Sequence, residues 1–125
     1  MKNIETEEIS LDQIYQLAYE AFCKNGCNVE NATAMARTVR NAERDGSVSH
    51  GLFRVPGYIT SLKSEKVKGD AYPDIEHKLQ SVITVNGMFG YAPLSLEKGL
   101  PVLADAAQRT GIAVLRLINS FHFAA

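Results

Sequence analysis

The chain has 125 residues, 13 Lys and Arg against 14 Asp and Glu, a formal net charge of −1 and 46% hydrophobic residues, which suits one ordinary globular domain rather than a disordered chain. A charge this close to zero lacks the basic surplus that phosphate neutralisation needs, so no nucleic-acid partner is expected. No apolar run approaches the ~20 residues of a membrane helix, and the acidic stretch Met1 to Glu8 has no apolar centre, so neither a membrane anchor nor a signal peptide is expected.

Ser10 and Gln13 have capping-box spacing. Leu11, Ile14, Leu17, Ala18, Ala21 and Phe22 then recur at helical intervals, and Gly26 provides a stop. Cys23 and Cys27 lie near that helix end and read as free thiols of a cytoplasmic protein. A zinc site would need more Cys and His at ligand spacing, so no metal is expected. Asn28 can cap a second helix with an apolar face of Ala32, Met35, Ala36, Val39 and Ala42, ended by Asp45-Gly46. The two stripes predict a helical hairpin. Leu52, Val55, Ile59 and Leu62 predict a third helix starting between His50 and Val55, with Pro56 in its first turn.

Val67 to His77 reads as a polar loop, with His77 solvated. Leu79 to Val85 reads as a strand and Asn86-Gly87 as a turn. Pro93 opens a fourth helix with a stripe of Leu96, Leu100, Leu103 and Ala107, closed by Gly111. Ile112 to Ile118 is the strongest strand. Strand, helix and strand predict a crossover unit. Two strands make a marginal sheet with open edges, so the chain is expected to be the N-terminal part of a larger domain. The alternative is a complete, mostly helical protein with a small ribbon.

Two groups of residues suit chemistry. If a helix begins near His50, then His50 and Arg54 stand four apart on one face, with Ser49 beside the helix N-terminus. Imidazole exchanges a proton near neutral pH, and guanidinium grips a carboxylate with two parallel hydrogen bonds. Together they suit a small carboxylate carrying a carbonyl or imine. Spacing alone favours the plain reading of the same residues as a capping serine, a half-buried histidine and a solvated arginine, because capping serines are common. The second group is Asn119 to Ala125, containing His122, directly after a strand, where sheet proteins often place ligands. An ordinary strand exit with a surface histidine is the plain alternative. Asn86 to Gly90 lacks the G-x-G-x-x-G spacing, so a nicotinamide site here would not be of the Rossmann kind. Tyr58 and Tyr72 read as packing or rim residues.

The stretch Arg44 to Tyr58 resembles the D-G-x-x-S-H-G-x-x-R-x-x-x-Y signature of the malate/L-lactate dehydrogenase family, NAD(P)-dependent oxidoreductases that lack a Rossmann fold. The ending His122-Phe123-Ala124-Ala125, with Arg54 to Tyr58, is most similar to the branch that reduces Δ1-piperideine-2-carboxylate or Δ1-pyrroline-2-carboxylate. The resemblance implies an α/β fold in which N-terminal helices precede the first part of a mixed, mostly antiparallel sheet. Residues 1–66 would form the helical region, and 67–125 would begin the nicotinamide-binding sheet region. It further implies a homodimer, with NADPH or NADH as cofactor and an imine or oxo carboxylate as substrate. By the same resemblance His50 is the proton donor, Ser49 assists it, Arg54 binds the substrate carboxylate, and His122, Phe123, Ala124 and Ala125 lie at the cofactor. Some relatives carry Ser where Phe123 stands, which favours the imine-reductase branch over ureidoglycolate oxidation. The family's aspartate partner for the Ser/His pair falls beyond position 125. The alternatives are a 2-oxoacid or 2-hydroxyacid dehydrogenase of the same family, and a non-catalytic fragment that at most binds or dimerises.

Overall fold

The computed structural model describes residues 5–122. Helix α1 (Leu11–Lys24) opens on the expected capping box. Ser10 Oγ accepts the Gln13 N–H at 3.1 Å, and Gln13 Oε1 accepts the Ser10 N–H at 2.8 Å. Gly26, at φ +106°, turns the chain out of the helix through a conformation that side chains disfavour. Asn28 caps α2 (Val29–Arg44), its Oδ1 accepting the Asn31 N–H at 3.0 Å. The hairpin core comprises Ile14, Ala18 and Phe22 against Ala32, Met35, Ala36 and Val39. Leu11 and Leu17, expected in the α1 stripe, are exposed. The buried residues of α1 follow an i, i+4 row, and Leu17 falls beside that row.

The third helix does not start at His50. Two short 3-10 turns, Val48–His50 and Leu52–Arg54, precede α3 (Val55–Lys63), which carries Pro56 in its first turn. Gly51 separates the turns at ψ −139°, so His50 and Arg54 are not neighbours on one continuous helix face. Ser49 is not a helix cap either. It lies inside the first turn.

The expected loop from Val67 to His77 extends only to Pro73. Asp74–Leu79 form strand β1, antiparallel to β2 (Val82–Tyr91), with Ile75 opposite Val85. The strand was hidden because its residues are almost all exposed and polar, which removes the apolar alternation. The strand expected at Leu79–Val85 therefore begins after a turn at Gln80 and Ser81 and continues to Tyr91. Asn86-Gly87 makes no turn. The pair lies inside β2, where register slips between Asn86 and Gly90. Helix α4 (Ala92–Thr110) then crosses to β3 (Val114–Phe121), which pairs parallel to β2. The sheet order is β1-β2-β3, so the described residues hold three strands in a mixed α/β arrangement.

Helix α4 corrects its predicted face. Leu100 is 51% exposed, whereas Ser95, Gly99 and Ala106 are buried. A Cβ at Gly99 would come within 2.8 Å of Val85 Cγ2 and Leu115 Cδ1, so glycine lets the helix lie close on β2 and β3. A second core of Ile83, Val85 and Ala106 fills that contact, with Val102, Leu115 and Leu117 around it.

The segment between α3 and β1 ties the layers together. The Asn28 N–H donates to Gly69 O, Asn31 Nδ2 donates to Ala71 O at 2.8 Å, and the Lys68 N–H donates to Phe89 O. Asn31 is 1% exposed, so its loss strands a buried carbonyl. Asn31→Ala is expected to destabilise the protein by about 1–3 kcal/mol in urea unfolding. A change below about 0.5 kcal/mol would show that water replaces the bond.

Candidate active site

Ser49, His50 and Arg54 are brought together by the two short turns rather than by a helix face. Ser49 Oγ and His50 Nδ1 are 3.0 Å apart, within hydrogen-bond distance. Arg54 Nε donates to the Ser49 carbonyl at 3.3 Å. One residue thus contacts both the imidazole and the guanidinium. Ser49 and Arg54 are exposed and His50 is half-buried, so all three can meet a ligand.

His50 lines a cleft of about 370 Å³ between α2 and α4. Asn41, Asp45, Leu96, Glu97 and Leu100 contribute to its walls. Sequence spacing assigned Leu96 and Leu100 to the core; the small residues on the sheet side of α4 turn them to this cleft instead. The cleft's acids are paired. Asp45 accepts two hydrogen bonds from Arg44, which hold its carboxyl below the usual range, and Glu97 faces Arg37 at 3.4 Å. Each carboxylate of the wall is thus matched by an arginine. Arg54 does not line it, and supplies positive charge on the α3 side.

His122 lies just beyond β3 and is brought to α3. Its Nε2 is 2.7 Å from Ser61 Oγ. Its ring meets Tyr58 edge-on at 5.0 Å and Tyr91 at 5.8 Å. Burial lowers its pKa first, and the charges of Lys66 and Arg54 lower it further. Arg54 therefore connects the two groups: it bonds to Ser49, and its field acts on His122. Tyr58 and Tyr91 are both buried, and burial pushes both phenols upward, so they act here as packing rings. Phe123, Ala124 and Ala125 lie outside the described residues. His77 is exposed, with Nε2 near Gln80 O.

The backbone around His122 is unusual. Met88, Phe89, Asn119 and His122 all have φ between +50° and +66°. Left-handed backbone is costly for bulky residues such as Met88 and Phe89, less so for Asn119 and His122, and concentrates where a site needs a particular shape. Here Asn86 Oδ1 helps hold it, accepting from Met88 N at 2.9 Å and from Asn119 Nδ2 at 3.2 Å. The position after a strand marked Asn119 and His122 in the sequence; Met88 and Phe89 carried no signal beyond Asn-Gly inside a β-rich run.

Among the described residues no three His, Cys, Asp or Glu side chains gather as a metal site, and no helix is long and apolar enough to cross a membrane.

The fold and the Ser-His-Gly segment define a class. The sequence profile of malate/L-lactate dehydrogenase matches residues 9–125, and the chain belongs to that family. It is 36% identical over 121 residues to a Delta(1)-pyrroline-2-carboxylate reductase of Ancylobacter novellus, covering 97% of this chain and 36% of that protein. It is 38% identical over 120 residues to a Delta(1)-pyrroline-2-carboxylate/Delta(1)-piperideine-2-carboxylate reductase of Pseudomonas syringae pv. tomato, covering 96% of this chain and 35% of that protein. The crystal structure of delta1-piperideine-2-carboxylate reductase from Pseudomonas syringae pv. tomato superposes with a TM-score of 0.91 at 38% identity, over 96% of this chain and 36% of that one. The crystal structure of malate dehydrogenase from Entamoeba histolytica gives 0.86 at 26% identity, over 95% and 33%. The chain thus spans about a third of the length of these relatives.

The lowered pKa of His122 has a sign that can be measured. Between the ordinary 6.5 and the lower folded value, the unfolded chain binds more protons than the folded one. The associated stability is complete above about pH 6.5 and is lost as pH falls through the folded value. The groups that set this are Lys66, Arg54, Tyr58 and Tyr91. Urea midpoints at about pH 7.5 and 5.5 should fall further in the wild type than in His122→Gln. Equal slopes would remove His122 as the cause.

Proposed function

We propose that the protein carrying this chain reduces a cyclic imine carboxylate of the Δ1-pyrroline-2-carboxylate or Δ1-piperideine-2-carboxylate kind. The observation that carries this is the joint attachment of His50 and Arg54 to Ser49. It ties a proton-exchanging ring and a carboxylate-binding fork to one residue of a short segment. The reductases named above support the substrate class.

In this reading the imidazolium form of His50 donates its Nδ1–H to Ser49 Oγ, which orients the ring, and its Nε2 proton passes to the imine nitrogen, leaving neutral imidazole. Arg54 takes the substrate carboxylate through two parallel bonds and sets which face of the ring is open to reduction. A nicotinamide, as NADPH or NADH, supplies the hydride when bound. The residues present suit it: His122 stands at the carboxyl end of a parallel strand pair, in left-handed backbone, against two aromatic rings. His122 would face the cofactor, followed by Phe123, Ala124 and Ala125. Residues 1–66 would then serve the substrate and 67–125 begin the cofactor side of a homodimeric enzyme.

His50→Ala in the full protein is expected to lower kcat by at least about a hundredfold while the affinity for NADPH stays within about twofold. Unchanged turnover would remove His50 from proton transfer. Arg54→Lys should raise KM for the imine carboxylate about tenfold or more, because one ammonium cannot reproduce the fork. An unchanged KM would reject the clamp.

The malate dehydrogenase similarity supports a second reading, oxidation or reduction of a 2-hydroxy or 2-oxo acid with the same two side chains. Steady-state rates on cyclic imines against malate and lactate separate the two.

A further inference from the structure

The ladder of 3-10 hydrogen bonds around the site is interrupted. His50 N–H donates to Ser47 O at 2.9 Å and Gly51 N–H to Val48 O at 3.3 Å. The pattern then skips and resumes with Arg54 N–H on Gly51 O at 3.0 Å. The Leu52 N–H, whose next partner in that ladder would be Ser49 O, donates instead to Glu43 Oε1 at 2.9 Å. Ser49 O accepts from Arg54 Nε. The side chain of Glu43 also occupies the place where a Cβ at position 51 would stand: such an atom would overlap its Oε1 and approach its Cγ within 2.8 Å. Glycine in the Ser-His-Gly sequence is therefore the vacancy that seats a carboxylate.

We propose that Glu43 is a positioning residue for the substrate site, holding the break between the two turns so that Arg54 stays on the Ser49 carbonyl. Its carboxylate does what Ser49 O would do in an unbroken helix, and this leaves Ser49 O to the guanidinium. Without that acceptor, the chain gains by continuing the ladder from Leu52 to Ser49, because an unpaired N–H is costly. The Arg54 fork then loses its anchor and swings relative to His50. Glu43 reaches this turn from α2, nine residues upstream of Leu52, so the helical hairpin itself sets the spacing of the pair.

The proposal rests on the reading of Arg54 as the carboxylate clamp, and two measurements keep the two apart. Amide hydrogen exchange at Leu52 reports the Glu43 bond alone. KM for Δ1-pyrroline-2-carboxylate reports its effect on the clamp. In the full protein, Glu43→Ala is expected to raise Leu52 exchange at least tenfold and KM at least fivefold, with kcat within about threefold. Glu43→Gln keeps an acceptor oxygen and should bring both back to within about twofold of wild type. Should the alanine variant not fold, Glu43→Asp retracts the carboxylate by one methylene and is expected to show the same rise in exchange and KM. Wild-type exchange at Leu52 in the alanine or aspartate variant overturns the proposal, as does faster exchange with an unchanged KM. If the wild type turns over no cyclic imine, the proposed reaction fails; rescue of Leu52 exchange by glutamine then still supports the positioning of this turn.

Discussion

Tyr91 holds the two layers of this fold together. It stands where β2 ends and α4 begins, 1% exposed, with its hydroxyl donating to the Tyr58 carbonyl at 2.8 Å. Its ring meets Phe22 at 5.7 Å and Tyr58 at 6.2 Å, both edge-on, an arrangement that adds quadrupole attraction to the burial of large apolar surface. Helices α1 and α3 are thereby tied to the central strand. The same ring lies beside His122, so the contact that joins helices to sheet also brings the end of β3 against α3. The catalytic proposal depends on this junction, because it puts Arg54 and His122 within each other's fields.

The site is built from departures from regular structure. Ser49, His50 and Arg54 sit on a broken 3-10 segment, and His122 follows a strand pair with left-handed residues on both strands. Each departure has its own local support. Asn86 bridges the slipped strands, and Glu43 takes the amide that the broken turn releases. Supports of this kind are bonds from a side chain to backbone or to another side chain, which fix shape without demanding regular secondary structure.

Much of this was legible in the residues and some was not. Capping side chains and i, i+4 apolar rows located α1 and α2, because those signals are local. The class of protein was legible through Asp45 to Tyr58, an unusually specific run. Strand β1 escaped notice because an exposed edge strand carries no apolar alternation. The α4 face was misjudged because counting leucines favours large side chains, while close helix-on-sheet packing here selects Ser95, Gly99 and Ala106. Asn86-Gly87 suggested a turn, yet its glycine serves close approach: a Cβ there would lie 2.9 Å from Asn119 O. The break at Gly51 depends on a carboxylate eight positions earlier in the chain, a relation that spacing within the motif does not reveal.

The slip between β2 and β3 has a consequence for how this arm can vary in length. From Asn86 to Gly90 the first strand takes four steps while the second, from Ile118 to Ser120, takes two. The surplus is an even number, so side chains on either side of it keep their faces, and Tyr91 still turns inward. A single-residue deletion within this loop-out would reverse that parity and send the tyrosine to solvent. Removing Met88 and Phe89 as a pair would keep the parity while erasing the left-handed excursion. Parity therefore restricts length changes here to twos, and loss of this pair also removes the Phe89 carbonyl that accepts from Lys68.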